Sequence, residues 1–506
     1  MLRPGISARG SVLNTLFRKI NLHRLIGFFF VLSFAVLMAL RLGVFRDDAP
    51  RVDFGPQDEV QAQTDHEAWM GVFLQGQQIG YVHRRRSKTS TGHRVLESVF
   101  LRLNTMGMVQ DVRFKTEGIL LPDFTLSSFD FDLQSSLFRF RAVGIRSGKT
   151  MTLFTGSKDL EQKTRFTLEH DVYLPMDLFN SMMEAGLRPG ESRTLQLFDP
   201  ATAAQRPVKI TRMDDDAIMV MGQKKKAIKW AVDFMGVPQY AWTGEDGTVL
   251  REEGFLGLTL QQVSREEALK LAPSGELTDL TRMVSIPSNR RISRPEALRH
   301  LTLRVEGLPQ QFDSLDGGRQ TFRDGILTIE KEAIPPPAVS GGAVDDLLKP
   351  HLVPTYIIQA DHPEIRRKVG EIVSMKDDTV TKARKLVDWV YRNIEKRPVL
   401  SVPNALETLR LKRGDCNEHA VLLAALARAA GIPAQVEAGV VYQNGQFYYH
   451  AWNVLSLGSW ITADASMGQF PADATHVRLV RGMDRQVDLA GVIGSMNLEI
   501  IDDKRD

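Results

Sequence analysis

Cysteine is nearly absent: Cys416 is the only one in 506 residues. A single thiol cannot close a disulfide within the chain or supply a cysteine-based zinc cluster, and so far from the N-terminus it cannot carry a lipoprotein's lipid. A net positive charge is also missing beyond the first 24 residues. The net charge is +3, yet Arg3, Arg9, Arg18, Lys19 and Arg24 stand there without an acid, which leaves −2 for the remainder. The pI near 8.8 therefore describes a short tail and gives no argument for nucleic-acid binding. No internal repeat is evident. At 43% hydrophobic, the chain has enough apolar residues for two or three domains with cores of their own.

Charge is missing altogether from Leu25 to Leu40, and Leu42–Phe45 prolongs the apolar run past Arg41. About 20 apolar residues cross a bilayer, so 25–45 reads as a transmembrane helix if Arg41 snorkels to the interface. The basic tail before it favours an inside N-terminus, with the rest of the chain outside the cytoplasm. A cleavable signal peptide is the rival reading, but the small-x-small pattern of a cleavage site is missing around Leu37–Ala39. The expected organisation is a basic tail 1–24, an uncleaved anchor 25–45, a spacer 46–67, a β-rich domain 68–272, a small β segment with a Pro-rich linker 273–345, and a C-terminal domain 346–506. The fold class is α+β.

Within 68–272, short alternating runs such as Trp69–Leu74, Val95–Leu103, Met108–Phe114 and Phe124–Leu133 predict antiparallel strands, and Asp246-Gly247 predicts a hairpin turn. One stretch breaks the alternation: Leu174, Leu178, Phe179 and Met182 fall at helical spacing. His83, His93 and His170 are scattered through the region, without a catalytic constellation. The three lysines Lys224–Lys226 read as a solvated hairpin tip.

The chemistry gathers in the last third. Helices are predicted over 363–375, 379–394, 405–411 and 416–430, the last with Asp415 as N-cap and Gly431 and Pro433 as terminators. Cys416 then stands in the first turn, where free backbone N–H groups and the helix dipole favour a thiolate. A buried inert thiol is the bland alternative. Asn444-Gly445 predicts a hairpin whose returning strand carries Tyr448, His450, Trp452 and Val454 on one face. If the following hairpin is symmetric about Leu457, His450 directly faces Asp464 with Cβ atoms about 5 Å apart. A carboxylate so placed orients an imidazole and leaves its other nitrogen for a nucleophile.

Gly414-Asp415-Cys416-Asn417-Glu418-His419-Ala420, Ala430–Ala434, His450-Ala451-Trp452-Asn453-Val454, Trp460 and Asp464 together resemble the bacterial transglutaminase-like domain, over roughly Pro354–Leu479. The resemblance implies a circularly permuted papain-like fold with Cys416 as nucleophile, His450 as general base and acid, and Asp464 as orienting carboxylate. It implies acyl transfer or hydrolysis on peptide or protein amides through a thioester, in a superfamily that holds crosslinking enzymes, peptide N-glycanases and thiol peptidases. Trp452 is a candidate substrate-binding residue, shield for the imidazole, or core aromatic. No cofactor and no metal are expected: His419 stands three residues after Cys416 without the further ligands a closed metal site needs, and no calcium motif matches. The region before Ala272 resembles the β-rich portions of membrane-anchored bacterial proteins with this domain, which implies a bacterial inner-membrane location with the catalytic part in the periplasm. The alternative is a scaffold of the cell envelope that keeps the fold without using the triad.

Overall fold

The computed structural model describes residues 64–505, apart from 137, 157–161, 235–236, 272, 274–276, 309–314, 337–344, 484, 487–488, 490–491 and 493. The basic tail, the anchor at 25–45 and most of the spacer lie outside the described residues. Among the described residues no helix is long and apolar enough to cross a membrane.

Fifteen strands between Thr64 and Gln262 make one sheet. Thr64–Leu74 lies in its middle, paired with Gln77–Thr89 on one side and Leu258–Gln262 on the other. From there the chain meanders outward on both flanks to Gln162–Thr167 and Val172–Tyr173. Neighbours are antiparallel save for the short pair of Val172–Tyr173 with Ser192–Phe198. Alternation drives the local choice. In Leu126–Ser135, Phe129, Phe131 and Leu133 are buried, while Asp130 and Asp132 point outward to Arg141 and Arg139 of the adjacent strand. Where Met213–Asp216 interrupts the apolar pattern, the strand Gln205–Val220 runs on through a bulge between Arg212 and Asp215. The helical stretch becomes a 3₁₀ turn Pro175–Asp177 and a helix Leu178–Glu184 that buries Leu178, Phe179 and Met182.

The segment expected to stand apart at 273–345 is stitched into the C-terminal part instead. His300–Glu306 pairs with Asn497–Lys504, and Ile286–Pro287 pairs with Phe447 and Gln446. Both pairings span more than 150 residues, which local periodicity cannot show.

The C-terminal helices are Pro363–Ile372, Thr379–Asn393, Ala405–Leu411 and Cys416–Ala429. The last is buried at every position from Glu418 to Ala427, as befits a helix apolar on all sides. It packs against the other three helices and against strands Ala434–Gln443 and Gln446–Ser456. Those strands form the centre of a five-stranded sheet completed by Ile286–Pro287, Val477–Arg481 and Trp460–Ala463.

Candidate active site

Three structural decisions bring the side chains together. The first is the start of the helix Cys416–Ala429. Asp415 caps it, its carboxylate accepting from Asn417 N at 2.8 Å, and Glu418 folds back to accept from Asp415 N at 2.9 Å, which completes a capping box. Gly414 permits this return: a Cβ there would lie 2.2 Å from Glu418 Cβ. Ser401 donates to the other oxygen of Glu418.

The second is the strand Gln446–Ser456. Asn444-Gly445 closes the hairpin with Gln443 opposite Gln446, and His450 lies opposite Gly439. Asn453, fully buried, donates from Nδ2 to Ala420 O at 2.9 Å and so pins this strand to the helix one turn beyond Cys416.

The third is the turn after Trp460–Ala463. Its register sets Asn453 opposite Ala463 and Ser456 opposite Trp460, a slip of two residues from a hairpin centred on Leu457. Two residues preserve the face, so His450 and Asp464 still meet, diagonally: His450 Nε2 lies 2.7 Å from Asp464 Oδ2. Asp464 Oδ1 accepts from Ser466 N, Ser466 Oγ and Met467 N. Since the carboxylate accepts, His450 carries a proton on Nε2, and Nδ1 is the nitrogen left to face a nucleophile. The His450 side chain is 11% exposed and Asp464 is buried.

Cys416 is half-buried and abuts the strand that carries His450, with the Ala451 backbone N–H directed at its sulfur. The expectation of a ready thiolate needs correction. Burial pushes the thiol well above its ordinary pKa, and Asp415, Glu418 and Asp464 add to the rise, opposed by the Ala451 N–H. The capping box adds to the effect of burial: the motif that starts the helix places carboxyl groups beside the thiol, where the dipole was to act. Glu418 is itself pushed well up by burial and by Asp415.

Of the three roles open to Trp452, its placement is that of a buried aromatic beside the imidazole. It is 1% exposed, its Nε1 donates to buried Glu437 at 3.0 Å, and its ring stacks on that of His450 at 6.1 Å. It backs the imidazole. His419 is buried, donates from Nδ1 to Asp415 O at 2.6 Å, and is driven toward the neutral form by burial.

Sequence reasoning missed His476. This fully buried ring reaches Asp464 Oδ2 with Nε2 at 3.0 Å and Asp473 Oδ1 with Nδ1 at 3.2 Å. His450, Asp464 and His476 offer donor types that also hold divalent metals. As placed, 2.7 and 3.0 Å are hydrogen bonds, shorter than the roughly 3.3 Å between donors set 2.0–2.1 Å from a tetrahedral ion.

Residues 366–465 match the family model of the transglutaminase-like superfamily, an interval that contains Cys416, His450 and Asp464. No curated protein matches the chain. Similar solved structures include a candidate cysteine protease from Cytophaga hutchinsonii, 17% identical over 41% of this chain and 84% of that one, with a TM-score of 0.27. A β-barrel-like protein of a domain family of unknown function from Brucella abortus is 12% identical over 40% of this chain and 96% of its own, with a TM-score of 0.30. A candidate protease from Parabacteroides distasonis is 13% identical over 65% and 64%, with a TM-score of 0.19.

Proposed function

We propose that the chain is a thiol enzyme that transfers the acyl group of a peptide or protein amide to Cys416 and then to water or an amine. The observation that carries this reading is the 2.7 Å contact of His450 Nε2 with Asp464, which points the free Nδ1 away from the acid on a strand that abuts the thiol. With the thiol disfavoured as an anion at rest, His450 acts as a general base. It takes the proton as sulfur attacks the carbonyl, then returns it to the departing amine. The Cys416 backbone N–H is a candidate donor to the oxyanion. Water or an amine then attacks the thioester, and the thiol is regenerated.

The residues 25–45 are proposed as an uncleaved anchor in a bacterial inner membrane, with the folded part on the periplasmic side. The charge-free run preceded by five basic residues supports this. Protease digestion of intact spheroplasts tests it: the folded part is expected to be cleaved, and its full protection would refute the orientation.

For the reaction, the full chain is incubated with glutamine-containing peptides, with and without a primary amine, and products are read by mass. A loss of ammonia or a peptide cleavage that Cys416→Ala abolishes is expected. Products identical in wild type and Cys416→Ala would instead favour an envelope scaffold that keeps the fold without the chemistry.

A further inference from the structure

The sequence motif ends at Asp464, but the hydrogen-bonded array continues. His476 lies between two acids, one at each ring nitrogen. Both acids are otherwise surrounded by donors. Asp464 Oδ1 takes two N–H groups and a hydroxyl. Asp473 Oδ1 accepts from Thr475 N and Oγ1, and its Oδ2 accepts from Gln469 Nε2. Acids held this way are carboxylates, which have no proton to give, so the ring must present an N–H to each and is therefore a cation.

We infer that His476 is a positioning residue for the Cys416–His450–Asp464 array: a buried, fixed imidazolium that shares Asp464 Oδ2 with His450 and, by its charge, weakens the hold of His450 on its proton. This inference rests on the acyl-transfer reading above.

The neighbours define the electrostatics. The His450 and His476 rings are 6.0 Å apart, and the Trp452 ring meets His476 edge-on at 5.1 Å. From the facing segment, Arg319 donates to the carbonyls of Asp473 and His476 at 2.8 and 2.9 Å and pairs with Glu332 at 3.2 Å, while Lys331 feels the charge of Asp473. On the strand that follows His476, Arg478 is turned to Glu437. Burial alone would discharge the ring; the two carboxylates prevail and raise its pKa to about 9. Without that charge, Asp464 would act on His450 undiluted, and the imidazole would release its proton to the leaving amine less readily.

The test is the pH profile of iodoacetamide alkylation at Cys416 in the full chain, as wild type, His476→Gln and His450→Ala. Gln keeps a donor for Asp464 and removes the charge. Loss of a unit charge about 6 Å away, damped by an effective dielectric near 20, is expected to move the alkylation midpoint upward by about two pH units. His450→Ala is expected to slow alkylation across the profile. A midpoint unmoved in His476→Gln while His450→Ala still acts overturns the role of His476. An alkylation profile indifferent to His450→Ala overturns the acyl-transfer reading beneath it. If His476→Gln does not fold, nitrogen-labelled imidazoles in the wild type decide: two protonated nitrogens on His476 from pH 6 to 8 are expected, and loss of a proton in that range overturns the inference.

Discussion

Trp452→Phe separates a supporting role from a substrate-lining one. Phe keeps an aromatic surface behind His450 but removes the indole N–H that Glu437 accepts at 3.0 Å. Glu437 would retain Arg481 at 2.6 and 2.8 Å on Oε1 and lose the donor on Oε2. A hydrogen bond to a buried charged acceptor contributes about 1.5–3 kcal/mol. The smaller ring also leaves roughly 40 Å³ unfilled, which costs about 1 kcal/mol at ~24 cal/mol per Å³. The expected loss is therefore about 3 kcal/mol, read by urea unfolding followed by circular dichroism on the full chain. A tunnel-lining tryptophan predicts the opposite: near-normal stability, with the change confined to substrate affinity. A loss below about 1 kcal/mol would refute the assignment of Trp452 to the support of the imidazole.

Three further outcomes follow from the same geometry. Alkylation of Cys416 is expected to rise with pH through the neutral range, because burial and the neighbouring carboxyl groups disfavour the thiolate; a plateau already reached at pH 5–6 would refute this. For His476, the folded-state pKa near 9 exceeds the ordinary imidazole value of about 6.5, so its contribution is complete below about pH 6.5 and fades as pH rises through 9. The difference amounts to about 3 kcal/mol, so unfolding midpoints measured between pH 6 and 9 should fall in the wild type and stay flatter in His476→Gln. Gly439→Ala would place a Cβ 2.0 Å from Val477 O, in the strand that lies between those of His450 and Arg478. Its soluble yield and near-ultraviolet circular dichroism should collapse, and native-like spectra would show that the strands can separate at low cost.

What could be read in the sequence followed the range of the signal. Helix ends near Cys416 were legible because a cap and a Gly–Pro stop are local chemistry: the expected 416–430 is Cys416–Ala429 in the structure. Strand existence was legible from alternation, and the hairpin at Asn444-Gly445 from the turn residues. Long-range pairing was not. Nothing in His300–Glu306 announces that its partner is Asn497–Lys504, and nothing in Thr475-His476 announces a neighbour of Asp464, because the irregular turn between them returns the chain without a periodic pattern. The one clue was compositional: His476 stands between Asp473 and the buried strand Val477–Arg481, where a fully buried imidazole needs partners.

The His450–Asp464 contact was anticipated for a reason only half right. The hairpin symmetry assumed for it fails by two residues, and the contact survives because the strand period is also two: a two-residue slip moves a side chain along a face and never across it. Asp464 sits one residue past the last paired position, Ala463, where the turn back to Gln469 begins. There it is freed from facing Trp452 directly and can reach both imidazoles with one oxygen while the turn's own N–H groups satisfy the other. An acid locked in the ladder would serve one neighbour. The electrostatic expectation weighed the helix dipole without burial: the thiol is held back first by its burial and then by the carboxyl groups of Asp415 and Glu418 that cap the same helix start. In such a site the nucleophile depends on the base to remove its proton, and the charge state of the base is set by the residues behind it.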